Sequence, residues 1–258
     1  MRRPWIIYIL IFIIIICILS SVMDVSTEGF SDTSTPQIDY YVISLKNNEK
    51  RMKNIEEQQS KMSSKLNIFD AVNGAEIDIE NIKDPVIDNN FSQPTKPPSS
   101  SNLENSKIRK REIGCYLSHY NLYRKIESEQ KWNGYTVIFE DDFVIKEDAF
   151  EEQLKRALQD LAANDFDILY IFNHTNNIGE SVTNNVCKTD KNKNLYGTSA
   201  YMVKNKNVRK ILEETKQMNA PIDYRLQESI KHDKIIAYTV CPFLSNTNSE
   251  IESTIQIK

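Results

Sequence analysis

The stretch YTVIFEDDFVI, residues 135–145, joins a predicted core strand to three adjacent carboxylates. Its first five residues are apolar or β-branched, which is the pattern of a strand buried on both faces of a sheet. Glu140, Asp141 and Asp142 follow at once, although neighbouring negative charges repel one another and an unpaired buried carboxylate is costly. Because open α/β sheets bind ligands at the carboxyl ends of their strands, this stretch predicts a ligand site there.

The segments before this strand predict a parallel sheet. Residues 38–45 (IDYYVISL) have the pattern of a buried strand, residues 47–62 have helical periodicity with an asparagine cap, and residues 65–74 predict a strand and a turn. This β-α-β order is typical of parallel strands that are joined by a crossover helix.

The segments that follow continue the alternation of strands and helices. Apolar side chains of residues 113–126 fall near one helical face, and Asp148 and Glu151 are typical of a capping box at the start of the next helix. The remaining predicted elements are strands at 165–172, 197–203 and 234–244 and helices at 206–217 and 221–230. We therefore predict one α/β domain over residues 38–258 with a mostly parallel central sheet. Its polar, Pro- and Ser-rich residues 75–107 predict a variable surface loop.

The first residues predict a membrane anchor. Arg2 and Arg3 precede an apolar run at residues 5–23, which at about 20 residues is just long enough to cross a bilayer. By the positive-inside bias, residues 1–4 stay cytosolic and the chain after the run is translocated. We expect an uncleaved signal anchor, a stem at residues 24–37 and a lumenal domain, as in a single-pass type II membrane protein. A cleaved signal peptide is the alternative.

Composition and cysteine spacing exclude several classes of protein. The net charge of −4, without a clustered basic stretch, argues against a nucleic-acid binder. Three cysteines follow the apolar run without a CxxC pair, so neither a zinc site nor a dense disulfide scaffold is indicated. For these residues, Cys115, Cys187 and Cys241, one disulfide and three free thiols both stay open. Sequons begin at Asn90 and Asn173, and Asn90, in the polar loop, is the better candidate for glycosylation.

The carboxylates at the strand end suit a hard divalent cation. Mg²⁺ and Mn²⁺ prefer oxygen ligands, and proteins hold them through one or two carboxylates together with substrate phosphates. A cation that binds residues 140–142 together with a diphosphate would offset the repulsion between their negative charges. Solvation of the strand end by the same carboxylates is the other explanation, and the motif alone does not decide between the two.

An ordered series of segments resembles glycosyltransferase family 25, which includes lipooligosaccharide and procollagen galactosyltransferases. The most specific pair is REIGCYLSH at residues 111–119 together with FEDD at residues 139–142. The other matching segments, which lie in order between residues 40 and 244, are YYVISLKNNEKR, FDAVNG, YGTSAYMV, PIDYRL and CPFL. The resemblance implies a GT-A type fold and a metal-dependent, inverting transferase whose donor is a nucleotide-diphosphate sugar, most often UDP-galactose.

The acidic motif of the family falls by position on residues 140–142. The resemblance implies that Asp142 contacts Mn²⁺ or Mg²⁺ directly, that Glu140 lies nearer the ribose or bridges through water, and that Asp141 belongs to the same metal and diphosphate motif. It also makes Asp223 the candidate for the general base that accepts the proton of the acceptor hydroxyl. A helix-start carboxylate that interacts with free N–H groups is the alternative for Asp223.

Five further residues are candidates for the donor site, each with a structural alternative. Arg51 is expected to pair with the diphosphate, and a solvated helix charge is its alternative. Ser118 and His119 are expected to line the nucleotide pocket, although a histidine on an amphipathic helix is often structural. Gly197 and Thr198 are expected to let the backbone approach the sugar closely, with a plain turn as the alternative.

The sequence departs from the family pattern in two places. Arg111 stands where the family usually has glycine, and the C-terminal part is short and lacks the familiar end, so no ligand or base is assigned to it. His174 and His232 have no motif support and receive no role. The resemblance leaves the acceptor open between a glycan, a lipid-linked glycan and a protein.

Two other functions compete with the transferase. A catalytically silent relative that binds a glycan or a partner protein at the membrane would keep the fold without the activity. The intact acidic motif argues against it. A metal-dependent phosphohydrolase would need further Asp or His ligands, and none of the three histidines has ligand spacing.

Overall fold

The computed structural model describes residues 36–87, 102–146 and 149–251, without the side chains of residues 102–108. The predicted tail and anchor (residues 1–23), nearly all of the stem, the Asn90 sequon and Asp148 lie outside the described residues. The described residues belong to one compact unit. Within the described part of the chain, no helix is both long and apolar enough to cross a membrane.

A seven-stranded mixed sheet forms the centre of the fold. Its strands in spatial order are β2 (Leu66–Asp70), β1 (Ile38–Ser44), β4 (Tyr135–Glu140), β8 (Ala200–Lys204), β6 (Ile168–Phe172), β10 (Ala237–Val240) and β7 (Val186–Lys188). β8 and β7 run opposite to the other five, so the prediction of a mostly parallel sheet is correct for strand direction, but three neighbouring pairs are antiparallel. The architecture is a mixed α/β fold of Rossmann-like type.

The direction of β8 follows from how the chain returns after β6. The connection at residues 173–199 contains the short edge strand β7 and no crossover helix. β8 therefore begins at the edge of the sheet where β6 ends, and it runs antiparallel to both of its neighbours, β6 and β4.

Helices cover both faces of this sheet. They are α1 (Glu49–Gln59), α2 (Asn102–Glu129), α3 (Phe150–Asp160), α4 (Val208–Thr215) and α5 (Ile222–Lys231). Short 3₁₀ turns lie at Gly74–Glu76, Ile79–Asn81 and Asn205–Asn207. Two small ribbons complete the described elements and pair β3 (Val86–Ile87) with β9 (Gln217–Met218) and β5 (Phe143–Ile145) with β11 (Ser245–Thr247).

The alternation of side chains along β4 divides the core into two layers. Val137 and Phe139 point to the layer that contains apolar side chains of α1 and α3. Ile138 points to the opposite layer, which contains those of α2, α4 and α5. All three are fully buried, which confirms a strand covered on both faces.

Helix starts and the long loop differ in part from the predictions. Asn48 caps α1 as predicted, and its side chain accepts a hydrogen bond from the N–H of Arg51 at 3.2 Å. The prediction of a capping box at the start of α3 is wrong, because the residue before this helix is Ala149, which has no side-chain cap. The Glu151 carboxylate accepts hydrogen bonds from Ser63 instead. The predicted variable loop is shorter than expected, since its described residues form two 3₁₀ turns, β3 and the first turns of α2.

A disulfide joins Cys187 to Cys241 and resolves the choice between one disulfide and three free thiols. It links β7 to the residue that follows β10, while Cys115 is free. We expect reduction to lower the free energy of unfolding by about 2–4 kcal/mol, because the bond closes a long loop in the unfolded chain. Urea unfolding with and without dithiothreitol measures this. A variant with serine at both positions should not respond to the reductant, and an unchanged midpoint of the native chain would contradict the prediction.

Candidate active site

The candidate site lies at one edge of the sheet, where β1, β4 and β6 end and β8 begins. Because β4 and β8 are antiparallel, the last residue of β4 lies beside the first residues of β8, and the N–H of Glu140 donates to the carbonyl of Ser199 at 3.0 Å. The edge thus brings together residues 140–142, 173–174 and 197–199. These segments are far apart in the sequence, and the predicted residues Glu140, Gly197 and Thr198 meet here.

Asp141 is buried and paired within the fold. Its side chain forms a buried ion pair with Arg51 and accepts a hydrogen bond from the Ser44 hydroxyl at 2.7 Å. The Asn54 amide of α1 donates to the carbonyls of Asp141 and Phe143 at 3.0 and 2.9 Å. These contacts attach α1 to the turn after β4 and show Arg51 paired with Asp141, while its contact with a diphosphate stays a prediction.

Asp142 has an oxygen that is available to a ligand. Its Oδ1 atom is buried and has no hydrogen-bond partner among the described residues. Burial, and then the negative charge of Glu140, raise the pKa of Asp142 to about 6. A buried acceptor without a donor is costly unless a cation or a donor group is supplied from outside. This orphaned oxygen fits a hard divalent cation.

Glu140 is held ionised and in a defined orientation. Its carboxylate accepts hydrogen bonds from the Thr198 hydroxyl at 2.6 Å and from His119 Nε2 at 3.2 Å, and its side chain is 26% exposed. Burial alone would raise the pKa of Glu140, but the hydrogen bonds from His119 and Thr198 outweigh it, and the pKa lies below its usual value. Glu140 is therefore a carboxylate, rather than a carboxylic acid, at neutral pH.

His119 and Ser118 support this site from inside the fold. His119 is fully buried, and its Nδ1 lies 2.8 Å from the Tyr201 hydroxyl, which in turn lies 2.6 Å from the hydroxyl of Tyr123. Ser118 Oγ accepts from the N–H of Val72 and donates to a carbonyl of its own helix. His119 thus contacts Glu140, and Ser118 attaches α2 to the chain after β2, while the place of these two residues in a nucleotide pocket stays a prediction.

Asp223 is oriented by two backbone donors. One of its oxygens accepts from the N–H of Gly197 at 3.0 Å and the other from that of Tyr224 at 2.9 Å. Burial raises the pKa of Asp223 above its usual value, and the charge of Glu140 adds to this, although the two N–H groups act in the opposite direction. Asp223 thus combines the helix-start contacts of the alternative explanation with the raised proton affinity that suits a base.

A comparison with models of known families identifies the family of this chain. The sequence matches the family model described as Glycosyltransferase family 25 (LPS biosynthesis protein) over residues 37–226. The chain belongs to glycosyltransferase family 25. The matched residues include the acidic triplet and Asp223, and the family implies glycosyltransferase activity.

A relative of this family 25 protein is found in rat (Rattus norvegicus). It is named "Probable inactive glycosyltransferase 25 family member 3" and is 27% identical over 133 residues. The match covers 51% of this chain and 22% of the rat protein. The chain therefore spans about a fifth of the length of this curated relative.

The motif-based analysis of this family 25 protein missed His174. This exposed residue follows β6, and its Nε2 lies 3.1 Å from the Ser199 hydroxyl. It is near enough to Glu140 to be the last of the groups, after His119 and Thr198, that act to lower the pKa of that carboxyl against the effect of burial. Its position directly after a buried strand that ends at the ligand-binding edge is the signal that would have found it.

Gly197 is required by the close approach of His174. Gly197 has φ of +90°, and a Cβ atom there would lie 2.1 Å from Cδ2 of His174. We expect Gly197→Ala to lower the free energy of unfolding by about 2–4 kcal/mol, from backbone strain and steric overlap together. In a His174→Ala background only the backbone strain is left, so the cost should fall to about 1–2 kcal/mol. Urea unfolding of the four proteins of this cycle measures both values, and equal costs in the two backgrounds would contradict the steric explanation.

Proposed function

We propose that this family 25 protein is a metal-dependent, inverting glycosyltransferase with a GT-A type fold. It moves a hexose, galactose in the first instance, from a UDP-sugar to a hydroxyl group of a glycan, a lipid-linked glycan or a protein. The observation that carries this proposal is the orphaned Oδ1 of Asp142 beside the ionised Glu140 at the ligand-binding edge of the sheet.

Asp142 and Glu140 would hold the divalent cation, Mn²⁺ or Mg²⁺. Both are oxygen ligands, which these ions prefer, and a cation would offset the burial and the repulsion from Glu140 that together raise the pKa of Asp142. When bound, the ion supplies a positive charge that stabilises the departing diphosphate. Thr198 and His119 keep the Glu140 carboxylate in place through its hydrogen bonds, so that the negative charge of the site does not depend on ligand binding.

Asp223 would act as the base towards the acceptor. In an inverting displacement the acceptor oxygen forms a bond to the anomeric carbon, the bond from that carbon to the diphosphate breaks, and the acceptor hydroxyl loses its proton. The raised pKa of Asp223 favours its taking that proton. The N–H groups of Gly197 and Tyr224 fix the orientation of the carboxylate while the proton is transferred.

We also propose that the domain works on the lumenal side of a membrane, as a single-pass type II protein anchored by residues 5–23. The two arginines before the apolar run support this orientation. The Cys187–Cys241 disulfide supports an oxidising compartment, because such bonds are rare in the cytosol.

A catalytically silent binding protein is the second candidate, and the name of the rat relative, which describes it as probably inactive, is the observation that favours it. In such a protein the carboxylates would bind a ligand or none without turnover. The two functions differ in one measurable respect, which is the release of nucleotide from a sugar donor.

The test uses the full chain purified in detergent with Mn²⁺ and a panel of UDP- and GDP-sugars. We expect nucleotide release from one UDP-hexose, and no release when the metal is chelated. Asp223→Asn should keep the rise in melting temperature that UDP and Mn²⁺ cause, but lose most of the release. Asp233→Asn is a matched control, because Asp233 is exposed, is paired with Lys191 and has φ of +57°, which asparagine tolerates. If no donor is turned over and none raises the melting temperature, the transferase proposal fails and the silent relative is preferred.

A further inference from the structure

Cys115 lies below the candidate site, near His119 and Glu140. Its sulfur adds a third type of metal-ligating atom to the imidazole nitrogen and the carboxylate oxygen of those two residues. It precedes His119 by one helical turn on α2, and residues four positions apart lie on the same side of a helix. A ligand atom of Cys115, one of His119 and one of Glu140 all lie within 4.8 Å of one another. The three residues come from a helix and from a strand end.

We propose that Cys115, His119 and Glu140 form a binding site for a soft divalent cation of the zinc class. A thiolate, an imidazole and a carboxylate are the three ligand types that zinc takes in proteins, and the thiolate selects against Mg²⁺ and Mn²⁺. In a tetrahedral zinc site, ligand atoms lie roughly 3–4 Å apart, so small side-chain movements would bring these three into contact with one ion. Three protein ligands leave a fourth position for water or a small ligand.

The groups that hold metal ligands in place are already present. Histidine ligands usually donate their second N–H to a fixed acceptor, and Nδ1 of His119 lies 2.8 Å from the Tyr201 hydroxyl. Carboxylate ligands are usually hydrogen-bonded too, and the Thr198 hydroxyl donates to Glu140. These contacts would fix both ligands in the orientation that the ion requires.

Binding changes the protonation of two ligands. The Cys115 thiol loses its proton to solvent when sulfur binds the ion. His119 changes tautomer: the proton on Nε2, which is donated to Glu140 in the metal-free protein, leaves to solvent, and Nδ1 takes up a proton from solvent and donates it to the Tyr201 hydroxyl. The lone pair on Nε2 that this exposes then binds the ion, as a neutral imidazole does. Asp142 takes no part, so this site and the hard-cation site share Glu140 but differ in their other ligands.

Cobalt spectroscopy tests the site without measuring transfer. The full chain is freed of metal with a chelator in detergent, and Co²⁺, a spectroscopic substitute for zinc, is then added. We expect one Co²⁺ per chain with a thiolate charge-transfer band, which Zn²⁺ displaces and Mg²⁺ does not. Cys115→Ser should lose this band, whereas Cys17→Ser, a matched variant at the other cysteine outside the disulfide, and Asp142→Asn should both keep it.

A second measurement needs no variant and covers the case in which Cys115→Ser does not fold. Zn²⁺ should slow the alkylation of Cys115 by iodoacetamide at least about tenfold, as followed by mass spectrometry of the native chain, and Mg²⁺ should not. The proposal is overturned if the native chain shows no thiolate–cobalt band, if the band survives in Cys115→Ser, or if Zn²⁺ leaves alkylation unchanged. None of these outcomes depends on whether the protein transfers a sugar.

Discussion

Asp142→Asn is expected to abolish metal-dependent turnover of the sugar nucleotide while making the metal-free protein more stable. The substitution removes the negative oxygen that has no partner among the described residues but keeps the size of the side chain. Loss of a charge-stabilising ligand should lower the rate by about 100-fold or more, because positive charge at the diphosphate is needed most in the transition state. Calorimetric titration with Mn²⁺ should show a matching loss of affinity.

The gain in stability follows from the raised pKa of Asp142. This pKa is 3.8 in an unperturbed aspartate and about 6 in the folded protein, so the folded state binds the proton more tightly than the unfolded state does. The proton therefore contributes stability that is fully present below about pH 4 and is lost as the pH rises through about 6. At pH 7 the neutral asparagine should avoid this loss, which is on the order of 1–2 kcal/mol for a partly exposed site.

Thermal unfolding at pH 4 and pH 7 without metal separates this effect from other causes. Asp142→Asn should gain stability over the native chain at pH 7 and much less at pH 4. Asp165→Asn is the control, because this exposed aspartate lies at the opposite end of β6 and pairs with Lys204. Unchanged Mn²⁺ affinity in Asp142→Asn would remove this residue from the metal site.

Asp141→Asn, one residue away, is expected to destabilise the protein. Its ion pair with Arg51 is almost fully buried, with side-chain exposures of 6% and 8%. Removal of one partner from such a pair costs about 3–5 kcal/mol, because the charge of the other partner stays buried. The remaining hydrogen bond from Ser44 cannot replace the lost charge.

Urea unfolding of Asp141→Asn and Asp70→Asn measures the difference between a buried and an exposed pair. Asp70 pairs with Lys46 at the end of β2, with side-chain exposures of 65% and 59%, and its loss should cost at most about 1 kcal/mol. If Asp141→Asn were as stable as the native chain but lost Mn²⁺ affinity, Asp141 would be a metal ligand instead of a structural residue.

Local patterns in the sequence predicted the main strands to within a few residues. The buried strand at β4, the asparagine cap of α1 and the strand at β6 all depend on side-chain periodicity or on contacts within one turn, which neighbouring residues determine. The direction of β8 was less accessible, because it depends on the path of a long loop. The start of α2 was missed because polar residues 102–107 lack the apolar face that marks a packed helix.

Family membership and the position of the acidic triplet at a strand end were determined by the sequence alone. Only the tertiary structure separated the roles within that triplet, since the partners of each carboxylate come from distant parts of the chain. Asp141 pairs with Arg51 and accepts a hydrogen bond from Ser44, and Glu140 accepts hydrogen bonds from Thr198 and His119. Oδ1 of Asp142 is left without a partner among the described residues. For Glu140 and Asp142 the pKa is shifted in opposite directions, because burial and hydrogen bonding, rather than residue type, set the cost of ionisation.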